Sequence, residues 1–244
     1  MQVYREIPII TNQARSRPAE LAGVVSVEEE WTVARHKEST EEIIGSIPPD
    51  VPFVLDAGTG MYLNAIVLNI PLAPRAPSRV RMEAERMASG AENPRREARK
   101  LELRLLGARD RGSIWDGSLR YDATFVYVRP SRHSLDRNIG ARSSRMVRDG
   151  FEEAKNLAES YSVTNASVRE AIGVREMILH VSGSLTAEEA EETIAARTRR
   201  LARRQIRWFD KLARKVPDSS SRFIVLERPN QRGIVHLMHD IMGR

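Results

Sequence analysis

The chain has 244 residues and carries 39 Lys plus Arg against 33 Asp plus Glu, a formal charge of +6. It has no cysteine, which excludes disulfides, thiol catalysis and a cysteine-based zinc site. Aromatics are only 5%, too few for an extended base-stacking platform. No apolar run reaches the roughly 18 residues of a membrane span. The N-terminal MQVYREIPII lacks a basic segment followed by an apolar one. The expectation is a cytoplasmic protein whose positive charge, mostly arginine, suits planar phosphate contacts.

Residues 1–25 read as an irregular segment with a short strand. Residues 27–46 read as a helix with Val33, Ile43 and Ile44 among charges, broken by Pro48, Pro49 and Pro52. VPFVLDAG, 51–58, is a short apolar run between breakers and is predicted to be a buried parallel strand. It runs into GTGMYLNAIVLN, where glycines precede a helix whose free N–H groups can hold an anion. PLAPRAP, 71–77, is a stiff connector. Residues 78–107 form a charged helical region interrupted near Ser89, Gly90 and Pro94. YDATFVYV, 121–128, is predicted to be a second buried strand, and 132–160 a helix. NASVREAIGVREMILHV, 165–181, reads as helical around a glycine.

The longest helix is expected over Thr186–Lys215. Thr186 and Glu189 have the T-x-x-E spacing of a capping box. Ile194, Leu201 and Trp208 recur every seven residues, with Thr198, Gln205 and Leu212 beside them, which predicts a narrow buried seam. Arg197, Arg204 and Lys211 share one row; Arg200, Arg207 and Arg214 share the next. Arg199 and Arg203 widen that face, and only Asp210 opposes it. A solvated face usually mixes signs at four-residue spacing. A face of one sign attracts a polyanion and gains affinity by releasing its counterions. PDSSS then reads as a loop, RFIVLERP (222–229) as a third strand and RGIVHLMHDIMG as a closing helix. His236 and His239 lie three apart without a nearby carboxylate cluster, so no metal site is expected.

Several of these segments together resemble the tRNA dimethylallyltransferase family. AGTGMYLNAI (57–66) is similar to that family's GGTGLY block, and RREARKLEL (95–103) to its R-x-x-R-A-L-E-V helix. LDRNIGARSSRMVRDGFEEA (135–154) is similar to L-x-x-R-I-x-x-R-x-x-x-M-x-x-x-G-(L/F)-x-x-E. AIGVRE (171–176) resembles AIGY(K/R)E, and RTRRLARRQIRWF (197–209) resembles RTR-x-(Y/L)-A-(K/R)-R-Q-x-T-W-F. The blocks come in the family's order and cover most of the chain.

The resemblance implies an α/β fold: a P-loop-NTPase-like three-layer core with long C-terminal basic helices, here without its N-terminal strand. Residues 1–244 would be one transferase domain, with 78–107 a shortened remnant of the family's helical tRNA-binding insertion. The implied reaction moves a prenyl group from dimethylallyl diphosphate, with Mg²⁺, to the exocyclic amine of the adenosine 3′ to the anticodon. The partner would be a tRNA anticodon stem-loop. Thr59 would contact the target adenosine, and Arg81 would lie near the reacting groups. Gln2 would read the adenine, with Arg96, Arg99, Gly173, Arg175, Arg199 and Arg203 also on tRNA. Arg197, Arg200 and Arg204 would hold diphosphate. Each residue alone has a plainer reading: a turn at Thr59, solvated arginines at 96 and 99, a packing glycine at 173.

Two departures stand out. The family's G-x-T-x-x-G-K-S/T loop has no counterpart, and Met1-Gln2-Val3-Tyr4 matches only the end of its D-S-x-Q-V-Y motif, without the Asp implied to take the amine proton. Little more than MASGAEN stands where the insertion would be. The expectation for these residues alone is therefore tRNA binding without transfer, and self-association through exposed strand edges. The alternative function is a noncatalytic RNA-binding relative.

Overall fold

The computed structural model describes residues 1–13, 18–68, 70, 72, 76–107, 113–115, 117–161, 165–215, 222–227, 233, 235–237 and 241. They form two compact units, Met1–Tyr62 with Asp122–Arg244, and Leu63–Tyr121.

In the larger unit the N-terminal segment forms a parallel bridge between Tyr4 and Val25 and, among the described residues, no longer strand. It nevertheless supplies much of the core: Val3, Tyr4, Ile7, Ile10, Val25 and Val27 are buried. Irregular backbone inside a protein has no ladder to satisfy it and needs turns or side chains as hydrogen-bond partners. Glu153 accepts the N–H groups of Ile9 and Ile10 at 2.7 and 2.9 Å. Burial pushes its carboxyl up, against the pull of those two N–H groups. Asn165 donates to the Tyr4 hydroxyl and to the Glu29 carbonyl. Gln2 donates to the carbonyls of Thr11 and Asn12 at 3.2 and 2.7 Å.

Helix α1, Val33–Ser46, is shorter than expected because Thr32 caps it, its hydroxyl accepting the Arg35 N–H. The expected buried strand at 51–58 is not one. The segment joins no sheet, and Val51, Phe53 and Val54 are 48%, 41% and 57% exposed. A strand exists only with a ladder partner, and among the described residues no strand pairs with this segment. It leads into α2, Gly60–Val67.

The sheet among the described residues has two parallel strands, β1 (Thr124–Arg129) and β2 (Arg222–Glu227), in register from Thr124–Arg222 to Arg129–Glu227. Phe125 and Phe223 stack with centroids 5.6 Å apart. β1 is only partly covered, not buried as expected, and Val128 and Val225 are exposed. The fold is thus mixed α/β, mostly helical, with a small parallel sheet.

Between the strands, five helices run among the described residues. The expected helix at 132–160 is two, α5 (Arg132–Asp149) and α6 (Phe151–Ser160), broken at Gly150. The stretch at 165–181 is α7 (Ala166–Arg169) and α8 (Val174–Val181). The long α9 is Ala187–Lys215, 29 residues. Its buried seam is Ala190, Ile194, Ala195, Ala202 and Leu212. Leu201 and Trp208 are only half-buried. Small residues at 195 and 202 let α9 lie close against Ile139 and Leu135 of α5.

In the smaller unit, α3 (Ser78–Met87) and α4 (Pro94–Leu105) pack through Ala84, Ala88 and Ala98. The break between them falls where Ser89, Gly90 and Pro94 were expected to make it. Of the expected closing helix, residues 233, 235–237 and 241 are described and helical. His239, the loop at 217–221 and most of the connector at 71–75 lie outside the described residues. No helix among the described residues is long and apolar enough to cross a membrane.

Gly173, before α8, has φ +97, and a Cβ there would lie 2.4 Å from Met146 Sδ and 3.0 Å from Ile10 Cγ2. Gly173→Ala combines left-handed strain with overpacking, so it is expected to cost about 2–4 kcal/mol. A thermal or denaturant melt reads this. An unchanged midpoint would mean that Gly173 is not packed in the core.

Candidate functional site

The expected capping box sets the start of α9: Thr186 N–H donates to Glu189 Oε2 at 2.8 Å, and Glu189 N–H to Thr186 Oγ1 at 3.2 Å. From there the helix distributes its arginines unequally. Arg197 points inward. One guanidinium nitrogen binds Glu176 Oε1, and the other donates to the Glu170 carbonyl at 2.8 Å. Glu176 is 3% exposed, and its second oxygen takes the Gly173 N–H at 3.0 Å. Arg197 therefore neutralises a buried carboxylate. Arg197, expected to hold diphosphate, is committed here to Glu176 and the Glu170 carbonyl.

Arg199 pairs with Asp136 of α5 at 3.4 Å. Asp210, expected to temper the positive face, is drawn toward β1, where it lies 3.4 Å from Arg129 Nε; Glu227 lies 3.6 Å from the same guanidinium. Asp210 holds the Arg129 guanidinium above its ordinary range. Burial, and then Asp210, push the Tyr127 phenol up.

What remains outward is Arg200, Arg203, Arg204, Arg207, Lys211 and Arg214, all exposed. Among the described residues Arg203, Arg204 and Arg207 meet no acidic side chain, and Arg200 makes only a 3.4 Å bond to its own helix at Ala196 O. The one-signed face is thus narrower than expected: Arg197 and Arg199 turn to acidic partners, and Arg200, Arg203, Arg204 and Arg207 stay outward.

The opposite edge of α9 meets the Gly58–Thr59–Gly60 turn. Gln205 Nε2 donates to the Gly58 carbonyl at 2.5 Å. The Trp208 indole lies against Gly60, where a Cβ would come 2.0 Å from Cδ1. Thr59, between them, is exposed.

Other expected site residues fare differently. The N–H groups of Gln2 are spent on the turn at Thr11 and Asn12, so its amide is not free to read a base. Gly173 is buried against Met146 and Ile10 rather than open to RNA; Arg175 is exposed. Arg81, Arg96 and Arg99 belong to the smaller unit. Arg81 pairs with Glu85 at 3.2 Å, Arg99 binds the largely buried Glu102, and Arg96 is exposed. Sequence reasoning missed Glu176, Glu170 and Arg129. Their only signal is spatial, since each meets its partner across many residues of chain.

A mixed α/β fold carrying one long helix with an exposed arginine face fits an enzyme of polyanionic substrates. The IPP transferase family model matches residues 2–106 and 88–212, and the chain belongs to that family. It is 55% identical to a tRNA dimethylallyltransferase of Rubrobacter xylanophilus, over 100% of this chain and 85% of that one. It is 29% identical to the tRNA dimethylallyltransferase of Clavibacter sepedonicus, over 87% of this chain and 79% of that one. In fold it resembles the tRNA isopentenylpyrophosphate transferase of Bacillus halodurans, with a TM-score of 0.69 at 22% identity over 99% of this chain and 84% of that one. The tRNA delta(2)-isopentenylpyrophosphate transferase of Staphylococcus epidermidis gives 0.69 at 19% identity, over 100% and 88%.

Gly60→Ala separates packing from propensity. Alanine favours a helix over glycine by about 1 kcal/mol. Here its Cβ must displace the Trp208 indole, so the variant is expected to lose about 1–3 kcal/mol and to shift indole emission. A higher melting temperature with unchanged emission would refute the contact.

Proposed function

We propose that this chain serves transfer of a dimethylallyl group from dimethylallyl diphosphate to the exocyclic amine of the adenosine 3′ to the anticodon of tRNA, in the cytoplasm. The observation that carries this is the exposed arginine face of α9 in a member of this family, beside the Thr59 turn. Arg200, Arg203, Arg204 and Arg207 supply phosphate contacts. Thr59 faces the flipped-out adenosine of the anticodon stem-loop. Arg81, Arg96, Arg99 and Arg175 are carried as contributors, Arg81 toward the reacting groups and the others toward tRNA. The α3–α4 hairpin, within 78–107, is taken as the shortened insertion, and β1 with β2 as part of a P-loop-like core in one transferase domain.

The chemistry sets what the residues must do. The amine attacks the allylic carbon, the carbon–oxygen bond to diphosphate breaks, and the amine loses a proton. Rate comes from holding amine and carbon in line and from neutralising the leaving group. A base in a stem-loop is reached by turning it out of its stack. The arginines suit diphosphate and RNA phosphate alike. Among the described residues no three His, Cys, Asp or Glu cluster. The ion would arrive on the diphosphate oxygens and add to their neutralisation.

A second reading, tRNA binding without transfer, has one observation in its favour. These 244 residues contain no G-x-T-x-x-G-K-S/T loop, and separate arginine side chains do not reproduce a cradle of aligned backbone N–H groups. Losing even one such donor typically costs about 10² to 10³ in rate. Residues 1–244, given tRNA, labelled dimethylallyl diphosphate and Mg²⁺, are therefore expected to bind tRNA but to transfer at least about 10²-fold more slowly than the Rubrobacter relative assayed beside them. Equal turnover would mean that other residues build the diphosphate site, with Arg200 and Arg204 first to be tested.

Charge reversal of Arg200 and Arg204 together is expected to weaken tRNA binding strongly. The slope of log affinity against log salt should flatten by about one unit per lost phosphate contact. Unchanged affinity and slope would leave the face merely solvated.

A further inference from the structure

We infer that Gln205 is a positioning residue that fixes the Thr59 turn on the basic helix; this rests on the proposed prenyl-transfer reading. Three observations converge on it. First, the turn does not follow a strand: residues 51–58 join no sheet, and Gly58 and Thr59 are exposed. With a glycine on each side of Thr59, such a turn samples many conformations unless something holds it.

Second, what holds it is α9. Gln205 donates to the Gly58 carbonyl at 2.5 Å, and Trp208, three residues on and so on the same helix face, covers Gly60. Beyond the turn, Tyr62 of α2 meets the His36 ring edge-on, with centroids 4.9 Å apart, and packs against the main core. The turn is thus pinned on both sides of Thr59, and Gln205 supplies a polar pin on its carbonyl side.

Third, the pins alternate with the exposed arginines. Arg204 precedes Gln205 and Arg207 precedes Trp208, each about 100° around the helix from its neighbour. One rigid helix therefore sets both where a phosphate is gripped and where the Thr59 hydroxyl stands. Gln205 touches no substrate; it acts through the Gly58 carbonyl. Displacing a reacting group by about 1 Å can cost about 10²-fold in rate, so the pin matters for turnover more than for RNA affinity.

Replacing the amide by an isostere gives a signature that a purely structural residue would not. In Gln205→Glu the side chain faces the Gly58 carbonyl. Ionised, it can only repel that oxygen; protonated, it can donate to it again. In Gln205→Ala no donor returns at any pH. Transfer is measured with tRNA, dimethylallyl diphosphate and Mg²⁺ across pH, and amide exchange is followed at residues 57–64. Gln205→Ala is expected to lower kcat about 10- to 100-fold with KM for tRNA within about 3-fold, and to speed exchange at the turn about 10-fold with the same thermal midpoint. Gln205→Glu should match it at neutral pH and regain activity relative to the unmodified chain as pH falls. Unaltered exchange at the turn in Gln205→Ala, or an unaltered kcat, overturns the inference. If the unmodified chain neither binds tRNA nor transfers, the functional reading fails instead; then, and also where it binds tRNA but transfers too slowly for kcat to be read, the exchange rates at 57–64 alone decide whether Gln205 pins the turn.

Discussion

The buried carboxylate of Glu176 is the constraint on which the rest of this structure depends. Removing a charge from water costs several kcal/mol, and only good partners offset it. Glu176 has two: the N–H of Gly173 at the start of its own helix and the guanidinium of Arg197 in the middle of α9. Arg197 adds a third tie through the Glu170 carbonyl. The pair thus fixes where α9 lies along α8. The same corner closes the core, because Gly173 sits against Met146 of α5 and Ile10 of the N-terminal segment. A buried pair of this kind need not add net stability. Removing one partner alone, however, leaves a charge stranded, at a typical cost of about 3–5 kcal/mol.

With its register fixed, α9 divides its side chains by direction. Alanines at 195 and 202 bring α5 close, and Asp136 then takes Arg199. Asp210 leaves the basic face for Arg129 at the end of β1. These ties remove the helix's only nearby acid from its outer side and leave Arg200, Arg203, Arg204 and Arg207 facing water. Self-repulsion among them is a cost the fold carries, and a polyanion relieves it. On the other edge Gln205 and Trp208 carry the Thr59 turn. A single helix thus links core, turn and charged face.

Much of this was legible in the sequence, because local chemistry decides it. The T-x-x-E box at Thr186, the break before Pro94 and the strand character of 124–129 and 222–227, though not their pairing, follow from short-range signals. So does the one-signed face, as a pattern. Which arginine faces inward does not follow. Arg197 and Arg204 stand seven residues apart in one row and look alike until Glu176 is placed beside the first. Gly173 reads equally as an RNA-approach point or a packing glycine until Met146 fills the space beside it. The run at 51–58 has strand composition, but a strand is a property of two segments, and its composition says nothing about its partner. Gln2 illustrates the same limit: the family resemblance implied base reading, yet the turn at Thr11 and Asn12 takes its amide first.

The division of α9 into anchoring and RNA-facing arginines is the central claim, and an arginine-to-alanine scan along the helix tests it most directly. Each variant is measured twice, for thermal midpoint and for the salt slope of tRNA binding. The account predicts that Arg197→Ala lowers the midpoint and leaves the slope unchanged. Arg200, Arg203, Arg204 and Arg207 should do the reverse, each taking about one unit from the slope at an unchanged midpoint. A stable Arg197→Ala protein with a reduced salt slope would contradict it.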